Sequence, residues 1–504
     1  MSDQYRDSSG SLLLDPAEMG EADRLTFQAG TPGIVLMERA GQAVADALRD
    51  AFPDARRVAI LAGLGNNGGD GYVAARLLRE AGLAVAVFSS VASTTLKGDA
   101  AWAAQSFGGP VEPLEAFSAD GADIVVDAIF GAGLDRPISE PIAAIIRATN
   151  ASGVPVVAVD LPSGISGLSG AVLGEAFVAA LTVTFFRRKP GHLLQPGRSR
   201  CGRLAVADIG IAADVLATIR PKTSANDPAL WAEARPNPSA CGHKYDRGHA
   251  VVFSGGATTS GAARLAAMAA LRAGAGLVTV FAPPSALMVN AAHLTAIMLR
   301  RCADVAALQG ALEDTRLSIF VLGPGFGICE TARDYARAII TAGRALVLDA
   351  DGITAFADNP VALFSVIGES ASPVVLTPHQ GEFARLFPDI ASAVSLSKLE
   401  KVRLAAERSG AVVVLKGADT VIAAPDGRAA INATGTPYLA TAGSGDVLCG
   451  IIAGLLAQKM PAFEAAACGV WMHGRAAELF GPGLIAEDLP GLLPAVLREM
   501  PGAS

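Results

Sequence analysis

The stretch VAILAGLGNNGGDGYVAARLLREAG, residues 58–82, decides the fold class. Val58–Ala62 is a short continuous apolar run. Gly63–Gly71 sets two Asn and one Asp among five glycines, and Gly71–Ala81 repeats apolar residues at helical spacing. Strand, glycine loop and helix in that order make the first half of a βαβ unit. Working outward, the same alternation continues. Strands are expected at Ala84–Phe88, Ile124–Ile129, Val154–Asp160, Leu181–Phe185 and Leu204–Ala207, with amphipathic stretches such as Pro141–Thr149 between them. This pattern implies a mostly parallel sheet and an α/β class.

After Ile209 the pattern thins, and residues 221–241 carry four prolines, so 223–240 reads as a linker. A second series opens at Ala250–Phe253. It continues through an Ala-rich helix, Gly261–Ala273, and strands at Leu277–Phe281, Ser318–Leu322, Ala345–Asp349, Val374–Thr377 and Ala411–Lys416. The motifs of the two halves differ, so two unlike enzymes joined in one chain are expected, over 1–222 and 241–504.

Length and composition agree with this reading. The 504 residues allow about three domains, or two large ones. With 51% hydrophobic and 17% charged residues the chain has ample core material and is not a disordered tail. A net charge of −8 argues against nucleic acid as a partner. Mean hydropathy is +0.41. Yet the longest stretch free of charged residues, Ala273–Leu299, contains Pro283-Pro284, Asn290 and His293, and reads as strand, turn and helix rather than a membrane span. The first ten residues, MSDQYRDSSG, lack the basic and apolar regions of a secretory leader. The six cysteines (201, 241, 302, 329, 449, 468) form no CxxC pair and read as small core residues in a reducing compartment, without a zinc site. A cytoplasmic homo-oligomer is expected. The one compact basic cluster, FFRRKPGH at 185–192, reads as a solvated loop between strands.

Three motifs of the first half carry chemistry. In GLGNNGGDG the glycines let backbone N–H groups approach an anion, and the helix that follows adds its dipole. The spacing fits neither a Walker A loop nor the GxGxxG fingerprint. VVDAIFGAG places Asp127 inside an apolar strand and a glycine loop at Gly131–Gly133. VVAVDLPSG places Asp160 and Ser163 at the end of another strand. In open parallel sheets such strand ends converge on one crevice. A carboxylate within an apolar strand must be paired or cation-bound, and Asn, Asp and Ser oxygens suit a hard cation.

Together with GIVLMERAGQAVA (33–45) and KPG (189–191), these motifs resemble, in order, the YjeF N-terminal domain of the NAD(P)H-hydrate epimerases. The resemblance covers about residues 1–215 and implies a Rossmann-like, three-layer α/β/α domain. It places the substrate loop on Asn66, Asn67, Gly68, Gly69 and Asp70. Further substrate contacts fall on Gly131, Ala132, Gly133, Leu134, Asp135, Arg136, Pro137 and Asp160. Potassium ligands fall on Asn67, Asp127 and Ser163. Leu64 stands where many members have Pro. The implied substrate is NAD(P)H hydrated across a nicotinamide double bond, with a hydroxyl on C6. That carbon can invert by losing hydroxide to an iminium and regaining it from the other face, and Asp160 is the candidate to shuttle the proton.

In the second half TAGSGDVLCGIIAGLLA (441–457) runs a small-residue turn into a helix. Its N–H groups can neutralise a transferring phosphoryl group, and Asp446 at the helix start can take a hydroxyl proton. With SGAARLAAMAALRAGAGLV (260–278), LGPGFG (322–327), VLTPHQGE (375–382) and VVLKGADT (413–420), it looks like the ADP-dependent NAD(P)H-hydrate dehydratase branch of the ribokinase-like superfamily. The resemblance implies hydrate contacts at Ala262, Gly325, His379 and Asp446. AMP contacts fall on Lys416, Gly417, Ala418, Asp419, Thr420 and Gly445. Asp446 is the base, with magnesium bridging the diphosphate of ADP. Ala442 replaces a commoner glycine, and His243-Lys244 resembles an entry signature. His192, His249, His293 and His473 receive no role. The expected partners are thus the hydrates NADHX and NADPHX and ADP. Two rivals are a sugar or vitamin kinase, which shares GxGD, and a non-catalytic N-terminal interaction module.

Overall fold

In the computed structural model, which describes residues 11–237 and 241–500, the apolar runs pair as parallel strands. The chain divides between Thr223 and Ser224 into two units. In the first, the sheet runs Val111–Pro113, Ala84–Ser89, Arg57–Ala62, Ile124–Ala128, Val156–Val159, Leu181–Phe185 and Arg203–Ala207, parallel throughout. Chain order reverses between Arg57–Ala62 and Ile124–Ala128, and a crevice opens beyond the carboxyl ends of strands at such a point. Alternate residues feed two cores. Ile60, Val126 and Val157 pack under the helices Gly33–Ala51 and Asn66–Glu80, while Leu61 and Val125 face Ile146 of the helix Glu140–Ser152. These are the expected three layers.

The second unit holds a larger sheet. Its order includes Thr223–Asn226, Ala429–Asn432, Val421–Ala423, Val412–Leu415, Val374–Leu376, Ala345–Leu348, Ile319–Leu322, His249–Phe253, Leu277–Ala282 and Met298–Arg301. The pairs from Val412–Leu415 to Met298–Arg301 are parallel, and Val421–Ala423 forms antiparallel pairs with both neighbours. Here chain order reverses between His249–Phe253 and Ile319–Leu322. The central helix Ser444–Ala457 is buried nearly throughout and crosses the alanine face of Ser260–Arg272. A Cβ on Gly450 would lie 2.1 Å from the Ala266 carbonyl oxygen, and one on Gly454 2.5 Å from that of Ala270. Backbones at this separation admit only glycine.

Four expectations change. The segment 223–240 is not a plain linker over its described part. Thr223–Asn226 joins the sheet, Pro228–Trp231 is helical, and Trp231 is 1% exposed in the second core, because its indole finds both apolar cover and Asn226 Oδ1 for its N–H. Residues 238–240 lie outside the described residues. The glycine motif is helix from Asn66, not from Gly71. Its glycines serve contact, since a Cβ on Gly68 would sit 2.0 Å from Gly63 O and one on Gly69 2.5 Å from Met37 Cε. The basic run 185–192 is not solvated, because Arg187 and Lys189 are buried. Cys241 and Cys329 are exposed, while the other four cysteines are core residues.

Candidate active sites

In the first unit a cavity of about 650 Å³ opens at the reversal point. Of the expected residues Asn66, Asn67, Asp70, Gly131–Arg136 and Asp160 line it. Gly68 faces the backbone of Gly63 and Gly69 the side chain of Met37 instead, and Pro137 is not part of the wall. Asp160 has a positive φ of 63°, a strained conformation that Asp tolerates better than most residues. Its partners over-determine it. Oδ1 accepts from Lys189 Nζ at 2.6 Å and Thr184 Oγ1 at 2.8 Å, and Oδ2 accepts from the Ala132 N–H at 2.9 Å. His192 Nδ1 accepts the Lys189 N–H, so its Nε2 carries the proton and donates to the Asp160 carbonyl at 2.8 Å. Burial works to raise the Asp160 carboxyl, but the Lys189 ammonium and the hydrogen bonds prevail and hold it at about 2. Burial likewise pushes His192 down to about 4, so the ring is neutral.

Beneath the Phe130–Gly131 loop lies a second carboxylate. Asp127 is fully buried; Oδ1 accepts from Ser163 Oγ at 2.6 Å and Oδ2 from the Ser163 N–H at 2.6 Å. Ser163 Oγ accepts the Phe130 N–H at 2.8 Å. Burial raises the Asp127 carboxyl to about 7, and among the described residues it has no cationic side chain to offset it. Asn67 Nδ2 is buried without a partner, and a Cβ on Gly131 would lie 3.0 Å from both Asn67 Oδ1 and Asp160 Oδ2. Asp127, Ser163, Gly131, Asn67 and Asp160 thus form a connected group. An uncompensated carboxylate, a hydroxyl and an amide that could turn its oxygen inward make a donor set that fits a hard monovalent cation.

In the second unit Gly443, at φ 85°, turns the chain into Ser444–Ala457 and sets Asp446 in the first turn. Lys416 Nζ donates to Asp349 Oδ1 at 2.7 Å, which also accepts from Thr377 Oγ1 at 2.8 Å. A Cβ on Gly445 would come 3.3 Å from Lys416 Nζ and 3.8 Å from Asp349 Oδ2, which joins the helix start to this pair. Burial first, then the negative charges of Asp349 and Asp351, raise Asp446 to about 6 against the pull of Lys416. Gly325 faces Ala262, a Cβ there lying 3.4 Å from Ala262 Cβ. His379 is the N-cap of Gln380–Leu386; Nδ1 accepts from the N–H groups of Gly381 and Glu382, and the ring stays half exposed. Its neighbour Pro378 accepts the Lys416 N–H at 2.9 Å. The 416–420 loop is tied by Thr420 Oγ1 to Gly417 and by Lys398 Nζ to Asp419 Oδ1 at 2.6 Å. Within it Thr420 and Asp419 shape the turn.

Several residues of these sites had no role in the sequence reading. Asp349 ends an apolar strand as Asp160 does, and the same rule applied there finds it. Lys189 lies within KPG, but a charge run gives no sign of which cation turns inward. Asp23 lines the cavity from the helix Pro16–Gln28, and burial raises its carboxyl to about 6. No spacing separates it from that helix's solvated acids. His473, buried with Nε2 3.0 Å from the Ser444 carbonyl oxygen, braces the turn before Asp446 and is held neutral, at about 4, by burial.

A family model of the YjeF-related protein N-terminus matches residues 33–191, and one of NAD(P)H-hydrate dehydratase matches residues 250–491. The bifunctional NAD(P)H-hydrate repair enzyme Nnr of Moorella thermoacetica is 39% identical over 519 residues, covering 97% of each chain. The Nnr of Thermofilum pendens is 38% identical and covers 92% of each. That of Escherichia coli is 35% identical over 92% of this chain and 89% of its own. With both family models matched in order and relatives alike over nearly the full length, the chain belongs to the family of bifunctional NAD(P)H-hydrate repair enzymes.

Proposed function

We propose that the chain repairs hydrated NADH and NADPH in two steps. The first unit interconverts the R and S hydrates, and the second dehydrates the S form with ADP, giving NAD(P)H, AMP and phosphate. The assigned extents are 1–222 for the epimerase and 241–504 for the dehydratase. The observation that carries the reading is the cluster of Asp446, Gly445, Lys416 and Asp349 at the start of a buried helix. A lone base there could serve any kinase, but the chain also supplies a separate cavity around Asp160 and Lys189.

In the dehydratase, Asp446 takes the proton of the C6 hydroxyl as its oxygen attacks the β-phosphorus of ADP and AMP leaves. The backbone N–H groups at the helix start and Lys416 face the charge that develops. Phosphate then departs with the C–O bonding pair, the ring-nitrogen lone pair fills the gap, and loss of a C5 proton restores the double bond. Magnesium, when bound, neutralises the diphosphate. In the epimerase, Asp160 is held as a carboxylate that can accept a proton from water, with Lys189 and His192 fixing its orientation. Asn67, Asp127 and Ser163 would hold potassium, which supplies a fixed positive charge under the Phe130–Gly131 loop.

Residence in the cytoplasm is part of the proposal, supported by the thiol of Cys329, which is exposed yet in no disulfide. No helix among the described residues is long and apolar enough to cross a membrane. The expected homo-oligomer is checked by light scattering. For the activity, hydrates are incubated with ADP and magnesium while absorbance at the dihydronicotinamide band is followed. Recovery from both epimers is expected. Absence of any recovery overturns the dehydratase, recovery of the S form alone removes the epimerase, and a stable phosphorylated product points to a small-molecule kinase. A parallel run with ATP tests the choice of donor.

A further inference from the structure

We propose that Asp70 is the proton donor of the epimerisation, giving its carboxyl proton to the departing C6 hydroxyl while Asp160 accepts the proton of the water that returns. This rests on the first unit being the epimerase.

The two carboxyls share a cavity but not an environment. Both oxygens of Asp160 are committed to donors, one of them an ammonium. Asp70 is 8% exposed, lines the same cavity, and among the described residues no hydrogen-bond donor reaches its carboxyl. The charged groups that bear on it are Asp23 from Pro16–Gln28, Asp160 after Val156–Val159 and Lys189 from the loop after Leu181–Phe185. Asp99 and the Asp135-Arg136 pair complete the charged lining of the wall. Carboxylates so close cannot all ionise against one buried ammonium, and the member without donors keeps its proton. Burial first, then the charges of Asp160 and Asp23, lift Asp70 well above the ordinary carboxyl range despite Lys189. Two acids whose surroundings drive them apart in this way divide the acid and base duties of a site.

The step balances. The lone pair of the ring nitrogen forms the iminium as the C6–O bond breaks. The oxygen leaves with the bonding pair, takes the Asp70 proton and departs as water. A water then adds to the opposite face, the iminium π pair returns to nitrogen, and the surplus proton passes to Asp160. Its transfer to the Asp70 carboxylate restores the starting state.

The test uses the full-length protein without ADP, with R and S hydrates separated by chromatography and hydrate binding to the first unit titrated by hydrogen–deuterium exchange of the segments that line its cavity. Asp70→Asn should lower the interconversion rate at least about 100-fold, the usual scale for removing a general acid, and leave the dissociation constant within about threefold. In the wild type the rate should fall as pH rises through the titration of Asp70, and Asp70→Asn should lose that limb. Asp70→Glu, which keeps an acid, should recover part of the rate. In oxygen-18 water, wild-type turnover should label C6 once per inversion. An Asp70→Asn protein that binds and epimerises within about threefold of wild type overturns the inference alone, as does loss of rate accompanied by loss of hydrate binding. A wild type that does not interconvert the hydrates overturns the epimerase reading, and the inference with it.

Discussion

Lys189 is a lysine almost without water, 1% exposed, whose charge is balanced by one carboxylate. Removing a single partner of such a buried pair leaves the other uncompensated, at a cost of about 3–5 kcal/mol. Lys189→Met should therefore destabilise the first unit by about that amount in urea unfolding. The double variant with Asp160→Asn should regain much of the loss. The pH dependence has a definite sign. The folded Asp160 carboxyl, at about 2, lies below its unfolded value, so its contribution is present above pH ~4 and fades as pH falls towards 2. Asp160→Asn should flatten the stability profile in that window. Asp446 behaves in the opposite way, being raised, and its catalytic form is the carboxylate. Dehydration should accelerate as pH rises through about 6. Asp446→Asn should lower it by about 10²–10⁴ while hydrate binding persists, checked by single-turnover kinetics with ADP.

At the scale of elements, the decisive contact is the crossing of Ser444–Ala457 over Ser260–Arg272. Gly450→Ala forces a methyl group to 2.1 Å from a backbone oxygen, so the helices must part. An overpacking cost of about 1–3 kcal/mol is expected. Dehydratase kcat should fall with it, because Asp446 rides on the displaced helix, and epimerisation should be unaffected. The central strands were readable in advance because buried parallel strands are apolar on both faces, as Ile124–Ala128 and Leu181–Phe185 illustrate. Elements without that signal were not. Val111–Pro113 and Met298–Arg301 are short, partly exposed edges, and the Val421–Ala423 hairpin lies among turn residues. Asn66–Glu80 begins earlier than expected because glycine usually marks a loop, whereas here it marks a helix pressed against its neighbours. In the sites, Asp127, Asp160 and Asp446 were legible as carboxylates placed at strand ends or a helix start. Lys189, His192 and His473 were not, because their roles come from burial and partners supplied by distant segments.

At the scale of the molecule, two units with separate sites should act independently. Neither Asp446→Asn nor Asp160→Asn protein alone should convert the R hydrate to NAD(P)H. A mixture of the two should recover it, and this complementation is read by the same absorbance assay. The first unit should also take up potassium when substrate is absent. Replacing tetramethylammonium by potassium at equal ionic strength should raise its melting temperature, since a ligand held only by the folded state stabilises it by mass action. Asp127→Ala should abolish the shift. The assembly of each site from several strand ends has one more consequence. Residues that meet there come from far apart: the first site joins Asn67 and Gly131 to Asp160, Lys189 and His192, and the second joins Asp349 and Lys416 to Asp446. During synthesis, which runs from the N-terminus, neither site can form until its last contributor has left the ribosome. For the first unit that contributor is Ile209, which lines the cavity after Lys189, so nascent chains stalled before it should carry the sheet's central strands yet an unformed pocket.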